Sequence, residues 1–219
     1  MKNYKAVIFD FDGTLANTIP DLSTAMNEML TLNSLPSRNI DQLLLAINYG
    51  AREFVRRSLP EEYQDNDAFI DARLIEYNES YSRHYSENTA LYDGVAEAVY
   101  HLKEQGMKLA VLSNKPDNYT KALISKLFRN DTFDYVLGQS ALPTKPDPTS
   151  AYFICGNLDV RPSETIFVGD SHVDMKTAIN AKMLPVGVSW GYRSADFLVE
   201  NGAKITIKSG CDLKNLADL

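Results

Sequence analysis

The chain has 219 residues, 44% of them hydrophobic and 23% charged, with a formal net charge of −7. That acidic balance argues against a broad nucleic-acid surface or a face for anionic membranes, while leaving room for a small phosphorylated metabolite bound by local cations. The two cysteines, Cys155 and Cys211, match no metal-site spacing and fit a reducing compartment.

The N-terminal apolar stretch is too short, and too interrupted by acids, for a secretion signal, and no later segment approaches membrane-spanning length. A cytoplasmic protein without nucleic-acid or membrane partners is expected, either a monomer or a weak homodimer.

In chain order, the first predicted strand is "YKAVIF" (4–9), which runs into "DFDGT". After it, residues 20–86 carry no strand pattern. They read as amphipathic helices: "DLSTAMNEMLTLN", "IDQLLLAI", "AREFVRRSL" and a long one near 67–86. Further strands follow at 108–113, 134–138, 165–169, 184–189 and 204–207, alternating with helical stretches at 93–106, 117–129, 148–158 and 173–183. Most of the strands are apolar on both faces, as parallel strands covered by helices must be. The alternation predicts an α/β fold, a doubly wound Rossmann-like parallel sheet. The interval between the first two strands is far longer than one crossover needs. It predicts an inserted all-helical domain at 17–89, with a core of 1–16 and 90–219.

Polar residues cluster where the strands end. Asp10, Asp12 and Thr14 close the first; Ser113, Asn114 and Lys115 close the second. Lys145 follows the third, and Asp170 and Asp174 follow the fourth. In a parallel sheet these ends share one rim, where ligands bind. Acids, hydroxyls, amides and a lysine together suit Mg²⁺ and a phosphoryl group. Each position also has a plainer reading. Asp170 reads as a helix N-cap, Asp174 as a solvated helix residue, and Lys145 as an exposed loop lysine. In the insertion, Gly50 and Arg52 open a helix, where Arg52 reads either as a clamp for a substrate carboxylate or as a solvated first-turn arginine.

The motifs "DFDGTL" (10–15), "LSNK" (112–115), "KPDP" (145–148) and "GDSHVD" (169–174) resemble, in this order, those of the haloacid dehalogenase superfamily. The likeness is to its phosphoglycolate-phosphatase-like branch, and the helical insertion matches that family's cap in position and size. The resemblance implies a Mg²⁺-dependent phosphatase. In it Asp10 is the nucleophile that forms an aspartyl phosphate, and Asp12 the general acid and base. Asp10, the Asp12 carbonyl and Asp170 hold the metal, with Asp174 behind them. Ser113 and backbone amides near Asn114 are expected to hold the phosphoryl oxygens, Thr14 and Asn114 count among the substrate-binding residues, and Lys145 balances the negative charge.

A pyrophosphatase, a β-phosphoglucomutase-like phosphotransferase and a non-catalytic phosphometabolite-binding regulator are the alternatives. The chain departs from its relatives at Asn17, often an aspartate. It departs again at Lys182, where a helix-ending glycine is usual and a different local turn is expected. His172 is expected to serve at the surface or as a gate; His84 and His101 are expected on helix surfaces.

Overall fold

The computed structural model describes residues 4–219. Its contacts divide the chain into two compact units, residues up to 17 with 91–219, and residues 18–90. Each crossing falls one residue later than the composition suggested.

The first unit is built on a six-stranded sheet: β1 (Ala6–Phe9), β2 (Lys108–Pro116), β3 (Tyr135–Gln139), β4 (Thr165–Gly169), β5 (Leu184–Val188) and β6 (Ile205–Ile207). The spatial order is β3-β2-β1-β4-β5-β6, and every pairing is parallel. The order reverses at β1, so a crevice opens beyond the carboxyl ends of β1 and its neighbours. All four β1 residues are fully buried, as a central strand covered on both faces requires.

Alternation sends Ala6 and Ile8 to one face. There they pack with Ala151, Ile154 and Leu158 of helix Thr149–Leu158, and with Ala178 of helix His172–Asn180. Phe9 points to the other face and meets Phe133 edge-on at 6.4 Å. Burying a side chain of that size contributes about 1.5–3 kcal/mol.

Helix His172–Asn180 ends three residues before the predicted limit. It keeps the turn that a glycine would make: Lys182 adopts φ 60°, and the Met183 amide donates to the Ala178 carbonyl at 2.8 Å. The expected change of turn does not occur. A left-handed lysine costs roughly 1–2 kcal/mol, and burying Met183 in the core just past the turn offsets it.

Strand β2 also outlasts its predicted end at 113, because Pro116 pairs with Gln139 after an irregular stretch. Three residues of β2, Ser113 to Lys115, stand opposite one of β3, Gly138. Such a bulge re-aims side chains at a sheet rim.

The second unit is helical: α1 (Ile19–Leu32), α2 (Ile40–Ala46), α3 (Ala51–Ser58) and α4 (Asp67–His84). Leu22, Ala25, Met26, Met29 and Leu30 form the buried stripe of α1, at the spacing one helix face demands. From α4, Tyr77 meets Phe54 of α3 edge-on. Asp21 is fully buried, and its carboxylate accepts from the amides of Asn88 and Thr89, the Asn88 Nδ2 and the Thr89 hydroxyl, at 2.7–3.0 Å. This acid knots the two ends of the insertion together, since a buried carboxylate is tolerated only when hydrogen-bonded this fully. Among the described residues, no helix is long and apolar enough to cross a membrane.

Candidate active site

Asp10 is the first residue past β1, and its amide still donates to the Val168 carbonyl at 2.9 Å. Its carboxylate is therefore set at the sheet rim, where only 4% of the residue is exposed. Lys145 Nζ lies 2.8 Å from Asp10 Oδ1 and 2.7 Å from Asp174 Oδ1. Asn114 fixes the lysine's backbone. Its Oδ1 accepts from the Lys145 amide at 2.9 Å, and its Nδ2 donates to the Lys145 carbonyl at 3.0 Å. The Lys145-Pro146 peptide is cis.

Asp170, one residue past β4, is fully buried. It accepts from the Thr14 hydroxyl at 3.2 Å and from the Tyr192 amide at 2.7 Å. Asp174, on the first turn of the following helix, accepts from the Ser171 amide at 3.1 Å while the Ser171 hydroxyl caps that helix. Two glycines let the rim close. A Cβ on Gly191 would sit 2.2 Å from the Gly13 carbonyl and 2.4 Å from Asp170 Cβ, and Gly13 itself adopts φ 81°.

Asp12 is 9% exposed, and its Oδ1 lies 3.0 Å from Lys115 Nζ. Each acid of the "DFD" pair thus has its own lysine, and both ammonium groups are buried.

Burial, and next the charge of Asp174, push the Asp10 carboxyl up to about 7 against the pull of Lys145. Burial followed by Asp174 and Asp10 raises Asp170 well above its ordinary value, although Tyr192 and Thr14 donate to it. Burial works against the charge on Lys145, but Asp10 and Asp174 win and raise it. The imbalance has a simple origin. Asp10, Asp170 and Asp174 offer oxygens within 4.8 Å of one another, and Lys145 forms ion pairs with two of them, Asp10 and Asp174. An all-oxygen, over-negative cluster of this kind fits a hard divalent cation, which would relieve the repulsion.

The family model for haloacid dehalogenase-like hydrolases matches residues 7–188. The chain belongs to the haloacid dehalogenase-like hydrolase family. Among its relatives, the phosphoglycolate phosphatase of Mannheimia succiniciproducens is 34% identical over 195 residues, covering 86% of this chain and 87% of the relative. Phosphoglycolate phosphatase 1 of Pseudomonas aeruginosa is 30% identical and covers 98% of this chain and 80% of its own. A crystal structure of a predicted phosphoglycolate phosphatase from Haemophilus somnus superposes with a TM-score of 0.90 at 27% identity, covering 99% of both chains.

Within this haloacid dehalogenase-like hydrolase, the expected core residues Asp10, Asp12, Ser113, Lys145, Asp170 and Asp174 all stand at the carboxyl rim of the sheet, and all are buried. Asp174 is thus not a solvated helix residue, nor is Lys145 an exposed loop lysine. The Thr14 hydroxyl donates to Asp170, and the Asn114 side chain bonds the Lys145 backbone.

Gly50 and Arg52 belong to the helical unit. Gly50 caps α3 with φ 87°, and Arg52 pairs with the exposed Asp67 and Asp71 at 2.6 and 2.8 Å. His172 packs edge-on against Phe197, and His84 pairs with Glu28 and Glu87.

Two contributors escaped the sequence reading. Lys115 was visible inside "LSNK", adjoining Asn114, yet nothing in the sequence said which way the bulge would turn it. The loop of Trp190 to Tyr192 holds Thr14 and Asp170 through the indole Nε1, which donates to the Thr14 carbonyl at 3.0 Å, and through the Tyr192 backbone amide. A backbone donor has no residue signature.

Proposed function

We propose that this hydrolase is a Mg²⁺-dependent phosphatase of small phosphorylated metabolites, with 2-phosphoglycolate the first substrate to try. The observation that carries the reading is the division of the two rim aspartates between two buried lysines, beside a three-acid cluster suited to a divalent cation. The names of the relatives support the substrate class.

An Asp10 carboxylate oxygen attacks phosphorus, and the bond from phosphorus to the ester oxygen breaks. The leaving oxygen takes a proton from the Asp12 carboxyl. Asp12, now a carboxylate, accepts a proton from water as that water attacks the aspartyl phosphate, which releases phosphate and restores Asp10. Lys145 holds Asp10 and Asp174 in place and neutralises charge on the transferring group. Asp10, Asp170 and the Asp12 carbonyl would hold Mg²⁺, with Asp174 supporting from behind. Bound there, the ion supplies charge neutralisation for the phosphoryl oxygens. The helical unit is the cap that the resemblance implies.

The purified protein is expected to release phosphate from 2-phosphoglycolate with Mg²⁺ and to stop when EDTA is added. No release from any member of a phosphate-ester panel would overturn the reading.

The metal is tested without turnover. Asp10 titrates at about 7 when folded, against 3.8 ordinarily. Below the lower value both states are protonated and no stability is lost. As pH rises toward the higher value only the unfolded chain ionises, so the metal-free fold loses stability and has lost that contribution above it. Asp170, raised by the same cause, acts in the same sense. Mg²⁺ is therefore expected to raise Tm several-fold more at about pH 8 than at about pH 5. Equal shifts at both would count against this site.

A further inference from the structure

Lys115 has no part in the chemistry proposed so far, yet burying it is costly. Its side chain is 2% exposed, and an ammonium removed from water loses hydration that a well-placed anion must compensate. Its ammonium stands 3.0 Å from Asp12 Oδ1.

The backbone around it is built to aim it. Lys115 lies in the β2 bulge, where its amide donates to the Ser113 hydroxyl at 3.2 Å and its carbonyl accepts from the Thr120 hydroxyl at 3.2 Å. On the facing strand, a Cβ at Gly138 would lie 2.7 Å from that same carbonyl, so β3 presses close only because the residue is glycine. These contacts fix the backbone from which the lysine stem leaves.

We propose that Lys115 is a positioning residue for Asp12. Its ammonium anchors the Asp12 carboxyl through Oδ1 and so sets the direction from which that carboxyl meets the departing ester oxygen. Lys145 cannot substitute, because it is committed to Asp10 and Asp174. The inference rests on the reading of Asp12 as the general acid and specifies how the acid is held.

A purely structural lysine and an acid-positioning lysine differ in one measurable way. Help from a general acid matters most when the leaving oxygen is strongly basic, as in alkyl phosphates, and little when it is a nitrophenolate. The value of kcat/KM reports the steps through loss of the leaving group. The experiment measures kcat/KM across esters from alkyl to p-nitrophenyl phosphate, for the wild type and for K115M, K115R and D12N, with a melting curve for each.

K115M is expected to lose about 10²-fold on alkyl phosphates and several-fold less on p-nitrophenyl phosphate. K115R should lie near the wild-type slope, because it keeps the cation. D12N should show the steepest dependence. If D12N steepens the dependence while K115M lowers every ester equally, Lys115 only supports the fold, and the acid assignment survives without this inference. If D12N itself is flat across the series, the acid reading fails and takes this inference with it. Should K115M melt too low to assay, a K115R slope departing strongly from wild type overturns the proposal, and a preserved slope supports it.

Discussion

Asp10→Asn is expected to lower kcat by on the order of 10⁴-fold or more, because an amide offers no competent nucleophile at the position that must bond to phosphorus. Stability should move the other way. Asp10 is one of three buried acids that oppose each other's ionisation. Its amide replacement keeps an oxygen for Lys145 and removes a charge, so the metal-free variant should melt no lower than wild type at about pH 8. The check is a pair of measurements, phosphate release and a melting curve on one preparation. A variant that melts normally and turns over normally would end the nucleophile assignment.

A second prediction concerns Lys145→Met, which strips the ammonium from two buried carboxylates at once. Breaking a buried pair by removing one partner typically costs about 3–5 kcal/mol, because the surviving charge stays buried without compensation. For a chain of this length that corresponds to a fall in Tm of roughly 10 °C. Turnover should fall as well, since the phosphoryl oxygens lose a cation. Mg²⁺ should restore part of the lost Tm, because it neutralises the same acids. A Tm within about 1 °C of wild type would show that Asp10 and Asp174 do not depend on Lys145 for their charge balance.

The two substitutions are complementary. Asp10→Asn removes a charge from an over-negative cluster, and Lys145→Met removes its counter-charge. Opposite effects on the metal-free fold, with activity lost in both, are what the proposed mechanism predicts.

Several features of the site were legible because they depend on short-range rules. A parallel strand buried on both faces reads as an unbroken apolar run, and its end shows where the first polar residue must stand. That is how Asp10 and Asp170 came to be placed at the rim from "VIFD" and "FVGD". The helical insertion was legible because a hundred residues without a strand pattern cannot be one crossover. Lys182 shows the limit of such rules. The local preference against a left-handed lysine is real but small, and burial of Met183 outweighs it.

Pattern and motif order determined, from the chain itself, the α/β class, the helical insertion and the set of acids that share a rim. Tertiary structure decided the pairings: Lys115 with Asp12, Lys145 with Asp10 and Asp174, Asn114 with the Lys145 backbone, and Tyr192 with Asp170. Those partners stand between 22 and 135 residues apart in sequence. The physical reason is that periodicity reports which face a side chain takes, whereas an ion pair depends on ångström-scale placement of two side chains from distant parts of the chain. That placement is set by sheet order and by one irregular stretch of β2, and no local rule contains either.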